Sequence, residues 1–148
     1  MRDIKQGEVI MEDKAVAVGP VHNTTPVCLQ CYKFVSATDY WCDGCGYPMC
    51  DEECARGATH AQECAVFRSA GARVDILHTD NDAVEYQVIL VLRLLLGSKE
   101  DIARTNLLSH HVETLGEVER IVYRENVVKI IREKLKLTQW SEEDIFRY

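Results

Sequence analysis

Every cysteine in this chain belongs to a closely spaced pair of thiol or imidazole donors, and all four pairs fall between residues 28 and 64. The pattern reads Cys28-x2-Cys31, Cys42-x2-Cys45, Cys50-x3-Cys54 and His60-x3-Cys64. Knuckle spacing and helical-turn spacing each put two donors on one side of the backbone. Seven thiols and one imidazole suffice for two tetrahedral ions, and this donor set suits zinc, so two Zn2+ ions are the expected cofactors. Apolar residues are sparse and without period through residues 21–68, so metal is expected to supply most of the folding energy there. Four-donor sites leave no open position for water, which makes the expected metal structural rather than catalytic. Disulfides are the competing use of these cysteines. The odd count, the paired spacing and the charged N-terminus Met1-Arg2-Asp3-Ile4-Lys5 weigh against them. His22, His78, His110 and His111 stand outside pair spacing and read as ordinary surface or helix-face residues.

The chain has 148 residues, 47% of them hydrophobic, enough for one modest packed domain or two small ones. Its formal net charge is −7. Within the cysteine-rich segment only Lys33 and Arg56 face Asp39, Asp43, Asp51, Glu52, Glu53 and Glu63. Such a surface argues against nucleic acid, whose binders neutralise phosphates with clustered basic residues. The longest apolar stretch, residues 88–96, is interrupted by Arg93 and falls far short of the roughly 20 residues that span a bilayer. The expectation is an intracellular protein of nucleus or cytoplasm with no membrane partner.

Along the chain, residues 1–20 read as extended, with β-leaning runs Val9-Ile10-Met11 and Ala15-Val16-Ala17-Val18 closed by the turn Gly19-Pro20. Short helices are expected near residues 52–56 and 60–69, with Ala65-Val66-Phe67 as an apolar docking patch. Asp82 can cap a helix over residues 83–96 that is apolar nearly all round and ends at Gly97. A long helix is expected over residues 107–135, with a core stripe of Leu108, Val112, Leu115, Val118, Val122, Val128, Ile131 and Leu135, and a kink or a loose turn at Gly116. Ser141 and Asp144 form a capping box that starts a last helix. Spacing alone leaves open whether the donor pairs combine sequentially or alternately.

At these residues the chain resembles the SET-and-MYND family, its arthropod branch especially. The order Cys-x2-Cys, Cys-x2-Cys, Cys-x3-Cys, His-x3-Cys is that of the MYND zinc finger. Arg2-Asp3-Ile4-Lys5-Gln6-Gly7-Glu8-Val9-Ile10 and Ala17-Val18-Gly19-Pro20 resemble the SET segment that precedes the inserted finger. Leu137-Thr138-Gln139-Trp140-Ser141-Glu142-Glu143-Asp144-Ile145 resembles the helical insert that follows it. The resemblance implies alternate pairing, with one zinc on Cys28, Cys31, Cys50 and Cys54 and the other on Cys42, Cys45, His60 and Cys64. It implies a small α+β fold: a partial SET-like β segment at 1–20, the finger at 28–64, and a helical region at 80–148, the whole a truncated member of the family.

Family members are typically lysine methyltransferases that use S-adenosylmethionine. This sequence has no Asn-His-Ser-Cys run and no cysteine after Cys64. The chain as it stands is therefore expected not to be an enzyme and not to bind S-adenosylmethionine, with no catalytic or cofactor-binding residues to name. The resemblance implies instead a zinc-binding interaction module with a protein or peptide partner, proline-rich peptides being the family's kind. Tyr40, Trp41 and Tyr47 are candidate platforms for such a peptide, with one or two of them expected to form a mini-core instead. The family's tryptophan before the histidine and lysine after it have no counterparts here: Ala55-Arg56-Gly57-Ala58-Thr59 precede His60, and Ala61 follows. The alternative is an incomplete form of a SET-type protein-lysine methyltransferase.

Overall fold

A computed structural model describes residues 2–21, 24–36, 40–74, 76, 84–108 and 112–148. Its N-terminal half is organised by two knuckles of the same design. In the first, the Tyr32 amide donates to the Cys28 carbonyl at 2.8 Å and the Cys28 amide donates to the Lys33 carbonyl at 2.9 Å. In the second, Gly46 donates to Cys42 at 2.8 Å and Cys42 to Tyr47 at 3.0 Å. Both knuckles need a left-handed residue four positions after the first cysteine. Gly46 supplies it without strain (φ 84°), whereas Tyr32 adopts it (φ 61°) at a cost of about 1–2 kcal/mol. An antiparallel bridge between Val27 and Phe34 closes the first knuckle. A two-stranded antiparallel sheet closes the second, with β1 (Tyr40–Trp41) and β2 (Pro48–Met49) pairing Tyr40 with Met49 and Trp41 with Pro48.

Two helices complete the finger. Asp51 caps α1 (Glu52–Ala55) by accepting from the Cys54 amide at 2.7 Å. Next comes α2 (Ala58–Ala70), which ends on left-handed Gly71, where the Ala72 amide donates back to the Phe67 carbonyl at 2.9 Å. From the 65–67 patch, Phe67 is buried and meets Tyr47 edge to face at 5.4 Å, Val66 is half-buried, and Ala65 is exposed.

The C-terminal half is helical. α3 (Val84–Leu95) packs Tyr86, Val88, Ile89 and Leu92 with no exposed surface, and Gly97 follows its last turn. The start expected at Asp82 and Ala83 lies outside the described residues. The long helix expected over 107–135 is shorter and divided. A separate helix, α4 (Lys99–Thr105), begins at a Ser98–Asp101 capping box, and a 3₁₀ turn spans Val112–Thr114. Of the kink or loose turn expected at Gly116, the structure has the chain leave the helical path there: Gly116 is extended and is the N-cap of α5 (Glu117–Tyr123). The same rod continues through π-helical turns, Arg124–Val128 and Ile130–Lys134, and stops where Lys136 turns left-handed. The expected stripe divides with it. Val128, Ile131 and Leu135 are buried, the first two on turns that pack against α3, while Leu108, Val118 and Val122 are exposed. α6 (Glu142–Phe146) starts at the Ser141–Asp144 capping box.

The class is small α+β, but its sheet lies inside the finger. The segment expected as β at 1–20 forms no strand among its described residues, and the one sheet among the described residues pairs β1 only with β2. It is held by other means: the Val18 carbonyl accepts from Arg93 at 2.7 Å, Asp13 pairs with Arg104 at 2.6 Å, and Gly19 lies so close to α3 that a Cβ would sit 2.8 Å from the Leu90 Cβ. Val9, Ile10 and Met11 remain exposed. A cavity of about 970 Å³ opens between residues 13–17 and Leu90, Leu107, Leu108 and Phe146. One hydrophobic core runs from the finger through α3 to Ile145.

Candidate metal centres

The eight donors converge in two groups that interleave along the chain. Cys28, Cys31, Cys50 and Cys54 form one, and Cys42, Cys45, His60 and Cys64 the other, with all donor atoms of a group within 4.8 Å of one another. In the first group the Cys31 sulfur lies 3.5 Å from that of Cys50 and 4.0 Å from that of Cys54. In the second, Cys42 and Cys64 sulfurs are 3.6 Å apart, and His60 Nε2 lies 3.3 Å from Cys42 and 3.7 Å from Cys45. A tetrahedron with metal–sulfur bonds of about 2.3 Å separates its sulfurs by about 3.8 Å. A disulfide needs about 2.05 Å, and all seven cysteines are free thiols. Each group can therefore hold one metal ion, and its donor chemistry is consistent with zinc.

The electrostatics agree. Packed together, the thiols of a group cannot ionise independently. In the first, a backbone hydrogen bond at Lys33 draws the Cys31 thiol down, while burial and the Cys31 sulfur push Cys50 up to about 12. In the second, burial opposes ionisation of Cys42, but the Cys45 and Gly44 amides prevail and lower it, while burial drives Cys45 well up. A divalent cation removes this conflict by binding all the thiolates at once. The two groups differ in depth. Every donor of the second is buried, whereas Cys31 is exposed and Cys50 and Cys54 are half-buried.

Side chains from outside the motif hold the donors. The Gln30 side chain accepts from the His60 amide at 3.1 Å and so caps α2 in place of Gly57, which has no side chain to do it. Gly44 is needed where a Cβ would sit 2.9 Å from the Cys64 sulfur. The carboxylate of Glu63 is buried with no exposed surface beside His60, and Arg93 of α3 donates to it through Nε at 3.2 Å and through a second nitrogen. Arg93 also donates to the Leu29 carbonyl at 2.8 Å and to the Tyr32 hydroxyl, which donates in turn to the Val18 carbonyl at 2.8 Å. In the sequence Glu63 registers only as one of the finger's acidic residues and Arg93 as a break in an apolar run. The legible signal was a charge in the middle of an otherwise apolar helix, which needs a buried partner.

Of the aromatic candidates, Tyr47 is core. It is fully buried, stacks 5.7 Å from Tyr86 and donates to the Glu85 carbonyl at 2.7 Å. Tyr40 and Trp41 are half-buried on β1. His22, His78, His110 and His111 lie outside the described residues. Among the described residues no helix is long and apolar enough to cross a membrane.

No family model matches the chain, and no solved structure matches it. The chain is similar to the SET domain-containing protein SmydA-8, isoform A, of Drosophila melanogaster, at 24% identity over 132 residues. The similarity covers 86% of this chain but 27% of the fly protein, so the chain spans about a quarter of the length of the relative it matches. The two donor groups and this distant similarity fit a finger of the MYND kind.

Proposed function

We propose that the chain is a zinc-stabilised protein-interaction module of the SET-and-MYND kind, with one structural zinc in each donor group. One observation carries the reading: the donor pairs combine first with third and second with fourth, so the two groups cross-link the finger instead of forming separate beads. Bound there, zinc supplies cross-linking and charge neutralisation, while the chain's own residues orient the donors. Eight donors saturate two four-coordinate ions and leave no vacant position for a substrate. The chain by itself is read as non-enzymatic, with S-adenosylmethionine not among its ligands. The partner is read as a protein or peptide, with half-exposed Tyr40 and Trp41 as the contact candidates and the finger's acidic surface turning nucleic acid away. Native mass spectrometry with elemental analysis tests the metal: two zinc ions per chain are expected, and fewer, or cystine bridges, overturns the reading. Titration with proline-rich peptides, reading Trp41 fluorescence in a Trp140→Phe background, tests the partner.

A second reading has one observation in its favour. A chain that spans 27% of a SET domain-containing relative fits the finger-bearing part of a longer SET-type protein-lysine methyltransferase. Turnover of S-adenosylmethionine on lysine substrates by this chain alone would favour it over the first.

A further inference from the structure

Buried charged side chains stand directly behind the second donor group. His60 points Nε2 at the cysteines, 3.3 Å from Cys42 and 3.7 Å from Cys45. A metal bound through Nε2 leaves the imidazole proton on Nδ1. Among the described residues that nitrogen is fully buried and has no hydrogen-bond partner, and a buried N–H left so costs free energy. The carboxylate it faces is Glu63, with Oε1 3.9 Å from Nδ1. Glu63 is itself fully buried, and among the described residues its Oε2 also lacks a hydrogen-bond partner. The carboxylate oxygen nearest Nδ1 is the one that accepts from Arg93, and at 3.9 Å it stands just beyond hydrogen-bond distance, so a small shift of the Glu63 carboxylate brings the buried N–H an acceptor.

We propose that Glu63 is a positioning residue for the second metal. It holds the Nδ1 proton of His60, which fixes the tautomer whose Nε2 lone pair faces the ion. Arg93 then anchors that carboxylate to α3, to the Leu29 carbonyl and to the Val18 carbonyl. Through this chain the second centre and the seating of residues 18–19 on α3 share one charged link, and loss of either loosens the other. A carboxylate behind a metal-bound histidine raises its basicity as a ligand and restricts its rotation. The proposal rests on the reading that the second group binds metal.

The test uses the full chain loaded with cobalt(II), whose visible bands separate a four-sulfur centre from a three-sulfur, one-nitrogen centre. The first centre is then an internal control. Glu63→Gln is expected to weaken metal at the second centre about 10–100-fold while the first stays within about 2-fold. Because this variant leaves Arg93 charged and unpaired, the double variant Glu63→Gln/Arg93→Met is measured beside it, and the same selective loss is expected. Nitrogen-15 NMR of the zinc-loaded protein is expected to find His60 protonated at Nδ1 with a strongly downfield proton, shifted upfield in Glu63→Gln.

Three outcomes overturn the proposal: His60 protonated at Nε2, unchanged second-centre affinity in the double variant, or equal loss at both centres in both variants, which would reduce Glu63 to a support of the fold. Fewer than two metals in the unaltered chain would instead overturn the reading beneath it.

Discussion

The hydroxyl of Tyr86 serves both backbone groups of Val27: it accepts from the Val27 amide at 2.9 Å and donates to the Val27 carbonyl at 2.9 Å. The contact is buried and joins α3 to the entry of the first knuckle across 59 residues of sequence. Tyr86→Phe strands both groups, and a buried backbone group without a partner costs about 1–3 kcal/mol. Urea unfolding of the metal-loaded protein is expected to show a loss in that range. A change under about 0.5 kcal/mol, the level of an ordinary surface substitution, would contradict it.

Gly46 and Gly71 both sit in left-handed backbone, but their surroundings differ. A Cβ on Gly46 would stand 2.3 Å from the Val74 carbonyl oxygen, while one on Gly71 meets nothing within 4 Å. Gly71→Ala should therefore cost only the conformational term, about 1–2 kcal/mol. Gly46→Ala adds a backbone collision inside the second knuckle and is expected to cost clearly more and to weaken metal at Cys42 and Cys45. Thermal midpoints of the two variants decide it, and equal shifts would refute the argument.

The unequal depth of the two donor groups predicts unequal metal release. A chelator should strip the chain in two phases, the fast one from the group containing exposed Cys31 and the slow one from the buried group. Cys31→Ser is expected to remove the fast phase and Cys45→Ser the slow one. A single phase, or the reverse assignment, would count against it.

Acid should destabilise the finger through His60. Burial, with Arg93 second, holds its imidazole down at about 4, against about 6.5 in an unfolded chain. Between these values the unfolded state binds more protons, so stability rises with pH. The contribution is complete above about pH 6.5 and is lost as pH falls toward 4, and a metal on Nε2 acts in the same direction. The urea midpoint is expected to drop from pH 7 to pH 4.5 while NMR still finds His60 uncharged at pH 5.5. A protonated His60 in the folded protein at that pH would defeat the explanation.

Local patterns were legible because local forces make them. The Ser141–Asp144 box, the helix through His60 and Cys64 and the apolar run of α3 each depend on residues within a turn or two of one another. Ser98 and Asp101 have the same spacing and form the same box at the start of α4, a helix outside those expected from the sequence. The apolar period across residues 107–135 does not by itself place its N-terminal part in the core. Leu108 and Val118 repeat correctly for a core face, yet Leu108 only borders the open cavity beside residues 13–17 and both stay exposed.

The sequence by itself determined the donors, their pairwise spacing, the acidic surface and most helices, since each is set by neighbours along the chain. The tertiary structure alone decided which donor pairs meet, that Tyr47 belongs to the core, and that residues 2–21 lie without a strand. It alone also decided that Arg93 crosses 30 residues to Glu63 and 75 to Val18. Spacing constrains a turn of backbone. A buried charge finds its counter-ion only after the elements have packed, by which residues exclude water around it.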